Sequence, residues 1–275
     1  MSGPGWYEHT PAARDRLKVT FESRAGDYHA ARPDYPDELY ERLIAAAGLG
    51  PRARLLEVGC GTGKATIPLA ARGFEITALE LGPQLAEAAR ANLAGYDRVS
   101  VVPAAFENWE PDGERFDLVY AATAWHWVDP AVGYDLAWRV LRPGGHLAIW
   151  GAGHVLPDDG DPFFRQIQDV YDEIGESAPA DSYFAKPGSL PTDRAAIEAS
   201  GLFVVTQATE FVWARDYTAD QYIALLDTFS SHIDMAPWQR DRLYGEIRRR
   251  IAARPGNTVR RHWGAVLEVA RRLDG

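Results

Sequence analysis

The 275-residue sequence predicts an α/β fold, with a mostly parallel sheet flanked by helices on both faces. Three observations carry this expectation. Short apolar runs alternate with helical stretches between residues 36 and 150. One run opens into a turn with glycines at alternate positions and then into a helical stretch. Turn chemistry separates the elements, most clearly at Arg142-Pro143-Gly144-Gly145, where proline and glycine suit the two central positions of a type II turn.

Taken in order, Pro36 to Ala47 reads as the first helix, with proline suited to its first turn. Arg54 to Val58 is a buried strand, Lys64 to Ala71 a helix stopping at Gly73, and Glu75 to Glu80 the next strand. A helix over Pro83 to Leu93 leads to short strands at Val99 to Val102 and Phe116 to Tyr120. Asp129-Pro130 supplies a cap and a first-turn proline for a helix reaching about Leu141. His146 to Trp150 is a fifth strand.

Beyond Trp150 the rhythm changes. A loop with Asp158, Asp159 and Asp161 precedes a helix near Pro162 to Ile174, and Thr192 is placed to cap a short helix ending at Gly201. Leu202 to Trp213 is β-branched and aromatic and reads as a strand. Thr218 to Ile233 and Pro237 to Ala253 read as helices. Thr258 to Arg271 fits either a helix or a closing strand by pattern alone.

Composition removes several classes. A single cysteine, Cys60, cannot form an internal disulfide, so a cysteine-stapled scaffold is excluded. No apolar run approaches the roughly 20 residues that span a bilayer, and the first ten residues lack the pattern of a signal peptide. A cytoplasmic location is the expectation. The net charge of −10 disfavours a general nucleic-acid binder. That charge is uneven: residues 151–239 hold four basic groups against 15 acidic ones, whereas residues 240–275 hold ten arginines against four acids. Mutual pairing of the two regions is the simpler reading, and an anion-facing basic face the sharper one.

The informative segment is Glu57-Val58-Gly59-Cys60-Gly61-Thr62-Gly63-Lys64. Glycine admits positive φ and close approach of a ligand, and the following helix offers free N–H groups. The spacing is G-x-G-x-G, which differs from the dinucleotide pattern, and Ala65 after Gly63-Lys64 excludes a Walker loop. Glu80 closes the next strand, where a carboxylate can accept both hydrogen bonds of a ribose diol. No histidine or cysteine spacing predicts a metal, and Cys60 reads as a small buried filler.

These residues resemble the class I S-adenosylmethionine-dependent methyltransferases. Phe116-Asp117-Leu118-Val119 is similar to their fourth strand, and Leu141 to Gly145 to the turn into their fifth. Residues 21–36 resemble an N-terminal segment of small-molecule members, and Ala124-Trp125-His126-Trp127 resembles a signature of enzymes like trans-aconitate methyltransferase. The resemblance implies a Rossmann-like seven-stranded sheet with an antiparallel last strand inside it. Leu202 to Trp213 is then the sixth strand and Thr258 to Arg271 the seventh. The whole chain becomes one domain with a cofactor core at 20–150. Insertions at 151–190 and 214–257 cap the substrate as a helical lid.

The resemblance also implies a cofactor set: Tyr28, Arg32, Glu57, Gly59, Gly61, Gly63, Glu80, Leu81, Ala105, Phe106 and Ala121 around S-adenosyl-L-methionine and its product S-adenosyl-L-homocysteine. Phe106 substitutes for the acid expected beside the adenine, since Ala105 stands in its place. Arg32 is expected near the cofactor's carboxylate. His126 is the candidate general base. Trp125, Trp127, Tyr183, Phe229, His232 and Trp238 are candidate acceptor contacts, and Arg260, Arg261 and His262 offer positive charge either to an acidic acceptor or to solvent. The implied activity is methyl transfer to a small molecule at oxygen, nitrogen or a carboxylate, by a monomer or homodimer. The alternatives are an RNA or protein methyltransferase and a fold that binds the cofactor without transfer.

Overall fold

The computed structural model describes residues 31–111, 113, 115–177 and 185–274. Five strands are parallel, in the order β3 (Val99–Pro103), β2 (Glu75–Glu80), β1 (Arg54–Val58), β4 (Phe116–Ala122) and β5 (Leu141–Trp150). β8 (Val259–Arg272) runs antiparallel beside β5, and β7 (Phe203–Tyr217) pairs antiparallel along its other edge, from Phe203↔Arg272 to Tyr217↔Val259. The short β6 (Ala152–Val155) continues the line of β5 past Gly151. β5 pairs residues 268–271 of β8, and β6 pairs residues 262–265. The sheet therefore has seven strand positions, with β5 and β6 sharing one. This is the expected topology, and it settles Thr258 to Arg271 as a strand.

Burial follows the period-2 alternation of these strands. One face packs Leu55, Leu118, Tyr120, Trp150 and Leu267 against α1 (Asp37–Ala46), α2 (Thr66–Ala71) and α3 (Pro83–Asn92). The other packs Leu56, Val119, Leu147 and Phe203 against α4 (Gly133–Val140) and α7 (Arg194–Ala199). Both faces are covered, as a parallel sheet requires.

A third cluster lies within the two insertions. It joins Phe163, Phe164 and Val170 of α5 (Phe163–Gln166) and α6 (Gln168–Glu173) to Tyr222, Leu226, Leu243 and Ile247 of α8 (Ala219–Leu226) and α10 (Pro237–Ala252). Val259 and Trp263 of β8 belong to the same cluster, so the two insertions form one body over the start of β8. Ion pairs Arg242–Glu173, Arg250–Asp169 and Arg254–Asp161 stitch them together. Among the described residues no helix is long and apolar enough to cross a membrane.

Several elements depart from the expected bounds. The helix expected over Pro162 to Ile174 is the separate α5 and α6. The one expected over Thr218 to Ile233 is α8 and the short α9 (Ser230–Ile233). Thr218 does cap α8, in a reciprocal capping box with Gln221. Thr192 does not cap α7: its N-cap is Asp193, whose backbone N–H donates to Glu268 Oε2 of β8 at 2.5 Å. A tertiary bond from the sheet thus takes the place of a local cap. The turn at Pro143-Gly144 sits inside β5 as an irregularity. Leu141 already pairs with Phe116, pairing resumes at Leu118↔His146, and Gly144 has φ +72°.

Gly145 lies in this irregularity, and a Cβ there would meet the carbonyl oxygens of Arg142 at 2.9 Å and Asp117 at 3.2 Å. Backbone atoms cannot swing aside, so Gly145→Ala is expected to cost about 1–3 kcal/mol. It should lower the melting temperature by several degrees. Gly95→Ala, which would meet nothing within 4 Å, should leave it within error.

Candidate functional site

The glycine turn leaves the end of β1 between β2 and β4, where the carboxyl ends of parallel strands form the ligand crevice of such sheets. Gly59, Gly61 and Gly63 have φ of +70°, +57° and +85°. Two of them are also fixed by crowding: a Cβ on Gly59 would lie 2.7 Å from Ala124 Cβ, and one on Gly63 would lie 3.0 Å from Leu93. Gly61 meets nothing within 4 Å, so its requirement is the backbone conformation and the open approach in front of it.

Two carboxylates hold this turn. Glu80 Oε2 accepts from the Gly61 N–H at 2.7 Å, and Oε1 accepts from the Gly82 N–H at 2.8 Å. Glu57 is 1% exposed. Its Oε2 accepts from Thr66 Oγ1 at 2.5 Å and Tyr120 OH at 2.7 Å, while Oε1 is buried with no partner. Burial pushes the Glu57 carboxyl up to about 7, and the charge of Glu80 adds to this against the two hydrogen bonds. A buried carboxylate oxygen without a donor, beside a glycine cradle, fits a ligand that brings a cationic or N–H donor.

The loop after β4 adjoins this cradle. Thr123 has φ +55°, a strained value for a residue with a branched Cβ. Its N–H donates to the Trp150 carbonyl at 2.7 Å, and its Oγ1 lies 2.6 Å from Tyr35 OH. The Tyr35 ring packs against Trp150 and Trp213. His126 and Trp127 follow on a single 3-10 turn, with ring centroids 4.8 Å apart and both half-buried. Trp125 is buried in the core against Phe106 and Tyr134.

The other anticipated residues divide between the cradle and the insertions. Leu81 follows Glu80 and is 47% exposed, while Ala105 is half-buried and starts the 3-10 turn of Phe106. Phe106 and Ala121 are buried among core side chains. Arg32 meets the lid: its Nε donates to Thr228 Oγ1 at 2.9 Å, its Nη2 to the Thr228 carbonyl at 3.1 Å, and its guanidinium lies 4.2 Å over Phe229. His232 is buried, with Nε2 2.8 Å from Tyr171 OH. Burial, then the charge of Arg261, lowers it to about 4, so the ring is neutral at physiological pH. Trp238 is 61% exposed at the start of α10. Tyr28 and Tyr183 lie outside the described residues. Cys60 is buried and its thiol is pushed well above the usual range by burial. Among the described residues no group of three or more His, Cys, Asp or Glu could hold a metal ion.

Thr66 and Tyr120, which orient Glu57, and the Tyr35–Thr123 pair escaped the sequence reading. Thr66 carried a usable signal, since it lies one helical turn inside the glycine motif. Tyr35 and Thr123 carried none, being 88 residues apart.

Known proteins resemble this chain in sequence and in fold. Residues 56–149 match the model of the family described as methyltransferase domain. An uncharacterized methyltransferase of Mycobacterium tuberculosis is 36% identical over 162 residues, covering 54% of this chain and 64% of the relative. The chain thus spans less than two thirds of that relative's length. A solved protein of Anaeromyxobacter dehalogenans, assigned to the type II methyltransferases, shares the fold with a TM-score of 0.63 and 22% identity over 87% of this chain and 97% of its own. A Geobacter sulfurreducens S-adenosylmethionine-dependent methyltransferase, solved with S-adenosyl-L-homocysteine, has a TM-score of 0.52 and 20% identity over 94% and 98%.

The raised Glu57 carboxyl has a consequence for the ligand-free chain. Its folded value of about 7 exceeds the ordinary 4.5, so the folded state holds a proton that the unfolded state has lost between those values. Its stabilising share is present below about pH 4.5 and disappears as pH rises through about 7. Glu268, also pushed up to about 7 by burial, acts with the same sign. Denaturant titrations across this window should show stability falling by at most about 1.4 kcal/mol per pH unit from Glu57. Glu57→Gln should remove that share and leave the slope due to Glu268.

Proposed function

We propose, from a class I methyltransferase domain at residues 56–149, that the chain transfers a methyl group from S-adenosylmethionine to a small-molecule acceptor enclosed by the lid. The observation that carries this reading is the pairing of the positive-φ glycine turn with two carboxylates, one of them holding an unpartnered buried oxygen. When bound, the cofactor supplies a methyl group already activated on a sulfonium.

The chain's own residues then have three tasks. Glu80 would bind the ribose, and Glu57 Oε1 would accept from the ammonium of the methionine part. Ligand binding at Glu57 would favour its ionised form and release a proton near neutral pH. The β4–α4 loop and the lid align the acceptor and exclude water, which is most of what an in-line displacement asks of a protein. His126 takes the proton of an acceptor that carries one on the reacting atom. The small-molecule reading is favoured by the lid, because both insertions pack into one apolar body over the crevice.

Calorimetry with S-adenosylhomocysteine tests the cofactor site. The wild-type chain should bind, and Glu80→Ala should lose at least about tenfold in affinity, the value of one to two hydrogen bonds to a charged group. Absence of binding to wild type would overturn the reading. His126→Ala should bind equally well. In a labelled-methyl assay over carboxylic acids, phenols and amines, its turnover should fall and lose the wild-type pH dependence between pH 6 and 9. Turnover unchanged across that range would remove His126 as the base.

A further inference from the structure

We infer that Arg261 anchors a carboxylate carried by the methyl acceptor, at the end of the acceptor away from the reacting atom. This rests on the methyltransferase reading above. The alternation of β8 separates the three basic residues at its start. Arg260 points outward and meets Asp216. His262 shares the opposite face with Arg260, while Arg261 faces the lid between Val259 and Trp263 of the lid cluster.

Arg261 is 5% exposed, and its Nε is buried with no hydrogen-bond partner. Among the described residues no carboxylate pairs with it. Acids of β7, of α6 and of the loop before α5 pair with other arginines: Asp216 with Arg260, Asp161 with Arg254, Asp169 with Arg250 and Glu173 with Arg242. Three rings surround the guanidinium instead, those of Trp263 at 4.4 Å, Phe229 at 5.5 Å and Tyr222 at 5.7 Å. Aromatic faces stabilise a cation but supply no acceptor for its in-plane N–H groups. A buried guanidinium left this way is costly, and an anion that accepts from those N–H groups relieves the cost.

The surroundings specify the ligand further. A second guanidinium, Arg32, lies over the same Phe229 ring and donates to the neutral Thr228. On the same face of the sheet, the indole Nε1 atoms of Trp150 and Trp213 are buried without partners. Guanidinium and indole groups only donate, so a ligand that meets them must bring acceptors. An ionised carboxylate is such a group, and its plane matches the guanidinium fork. The anion is not the cofactor's own carboxylate by position. β8 is the third strand from β1, roughly 14 Å at the usual spacing, with β4 and β5 between. The reacting atom belongs near the β4 loop, two strands from Arg261.

Short- and medium-chain carboxylates, straight or phenyl-terminated, each paired with its primary amide, provide the test. They are titrated into the full chain, with and without saturating S-adenosylhomocysteine, and binding is followed by tryptophan fluorescence. The expected result is a carboxylate-over-amide preference of about tenfold or more. Arg261→Gln should abolish that preference, Arg261→Lys should retain part of it, and Arg260→Gln should leave it intact. Affinity for S-adenosylhomocysteine should be unchanged in all three. The melting temperature of ligand-free Arg261→Gln should not fall, because the variant removes an uncompensated charge.

The inference is overturned if no carboxylate in the panel binds, or if amides bind as well as acids. It is overturned equally if Arg261→Gln keeps the preference, or loses it together with its melting temperature or its S-adenosylhomocysteine affinity. Failure of wild type to bind S-adenosylhomocysteine strikes the methyltransferase reading alone. The carboxylate series run without that ligand still decides the anchor.

Discussion

The antiparallel course of β8 is the constraint on which the site depends. A strand running with its neighbours would carry its first residues to the amino ends of the sheet. Because β8 is reversed between β5 and β7, Val259, Arg261 and Trp263 arrive at the carboxyl ends, beside the crevice opened by the glycine turn. The long register with β7, running to Tyr217, delivers the chain into α8 at that same end. Both insertions are therefore anchored above the crevice by strand direction, and their apolar side chains merge with the start of β8 into one cluster. Gly264 marks how close this approach is, since a Cβ there would come within 2.6 Å of Leu190 and 2.7 Å of Val155.

The uneven charge of the sequence is resolved by the same packing. The arginine-rich end meets the acid-rich insertion, as Arg242 with Glu173, Arg248 with Asp220, Arg250 with Asp169 and Arg254 with Asp161. Most of these pairs are solvent-exposed and contribute little stability each. Arg254–Asp161 differs: the Asp161 carboxylate is largely buried and also accepts from the Arg260 N–H, so it fixes where β8 begins. The basic end is thus paired largely within the chain. Arg261 stands out against that background.

What was legible in the sequence was what is local. Alternating apolar runs, the glycine spacing, Glu80 after the second strand and the proline-glycine turn before the fifth are all readable within short windows, and each has its expected place in the fold. Pattern alone left Thr258 to Arg271 undecided, because β8 is buried on both faces over much of its length and so lacks clean alternation. Thr192 looked like a helix cap because the sequence does not show Glu268 waiting 75 residues away for the Asp193 N–H. The acceptor contacts were harder still. Trp125, Trp127, Phe229, His232 and Trp238 have the same local credentials, yet Trp125 is core, Trp127 half-buried, Trp238 largely in solvent, and Phe229 and His232 share the second insertion. Only the fold sorts them.

The two ends of the site share one physical feature. At the glycine turn a carboxylate is buried with an oxygen lacking a donor, and under the lid a guanidinium is buried with an N–H lacking an acceptor. Folding alone would favour bringing such opposite charges together or filling both places with apolar groups. Here β4 and β5 stand between them, so neither can satisfy the other. Each is instead paired locally only as far as orientation requires: Glu57 by Thr66 and Tyr120, Arg261 by three aromatic faces. A fold that keeps two complementary charges buried, apart and incompletely satisfied is one whose most stable state includes ligands. The cation-seeking end lies at the glycine turn and the anion-seeking end at the start of β8, and on the proposed reading the first serves the cofactor and the second the acceptor. On that reading the electrostatics give the crevice a direction, with the strained Thr123 turn between its two ends.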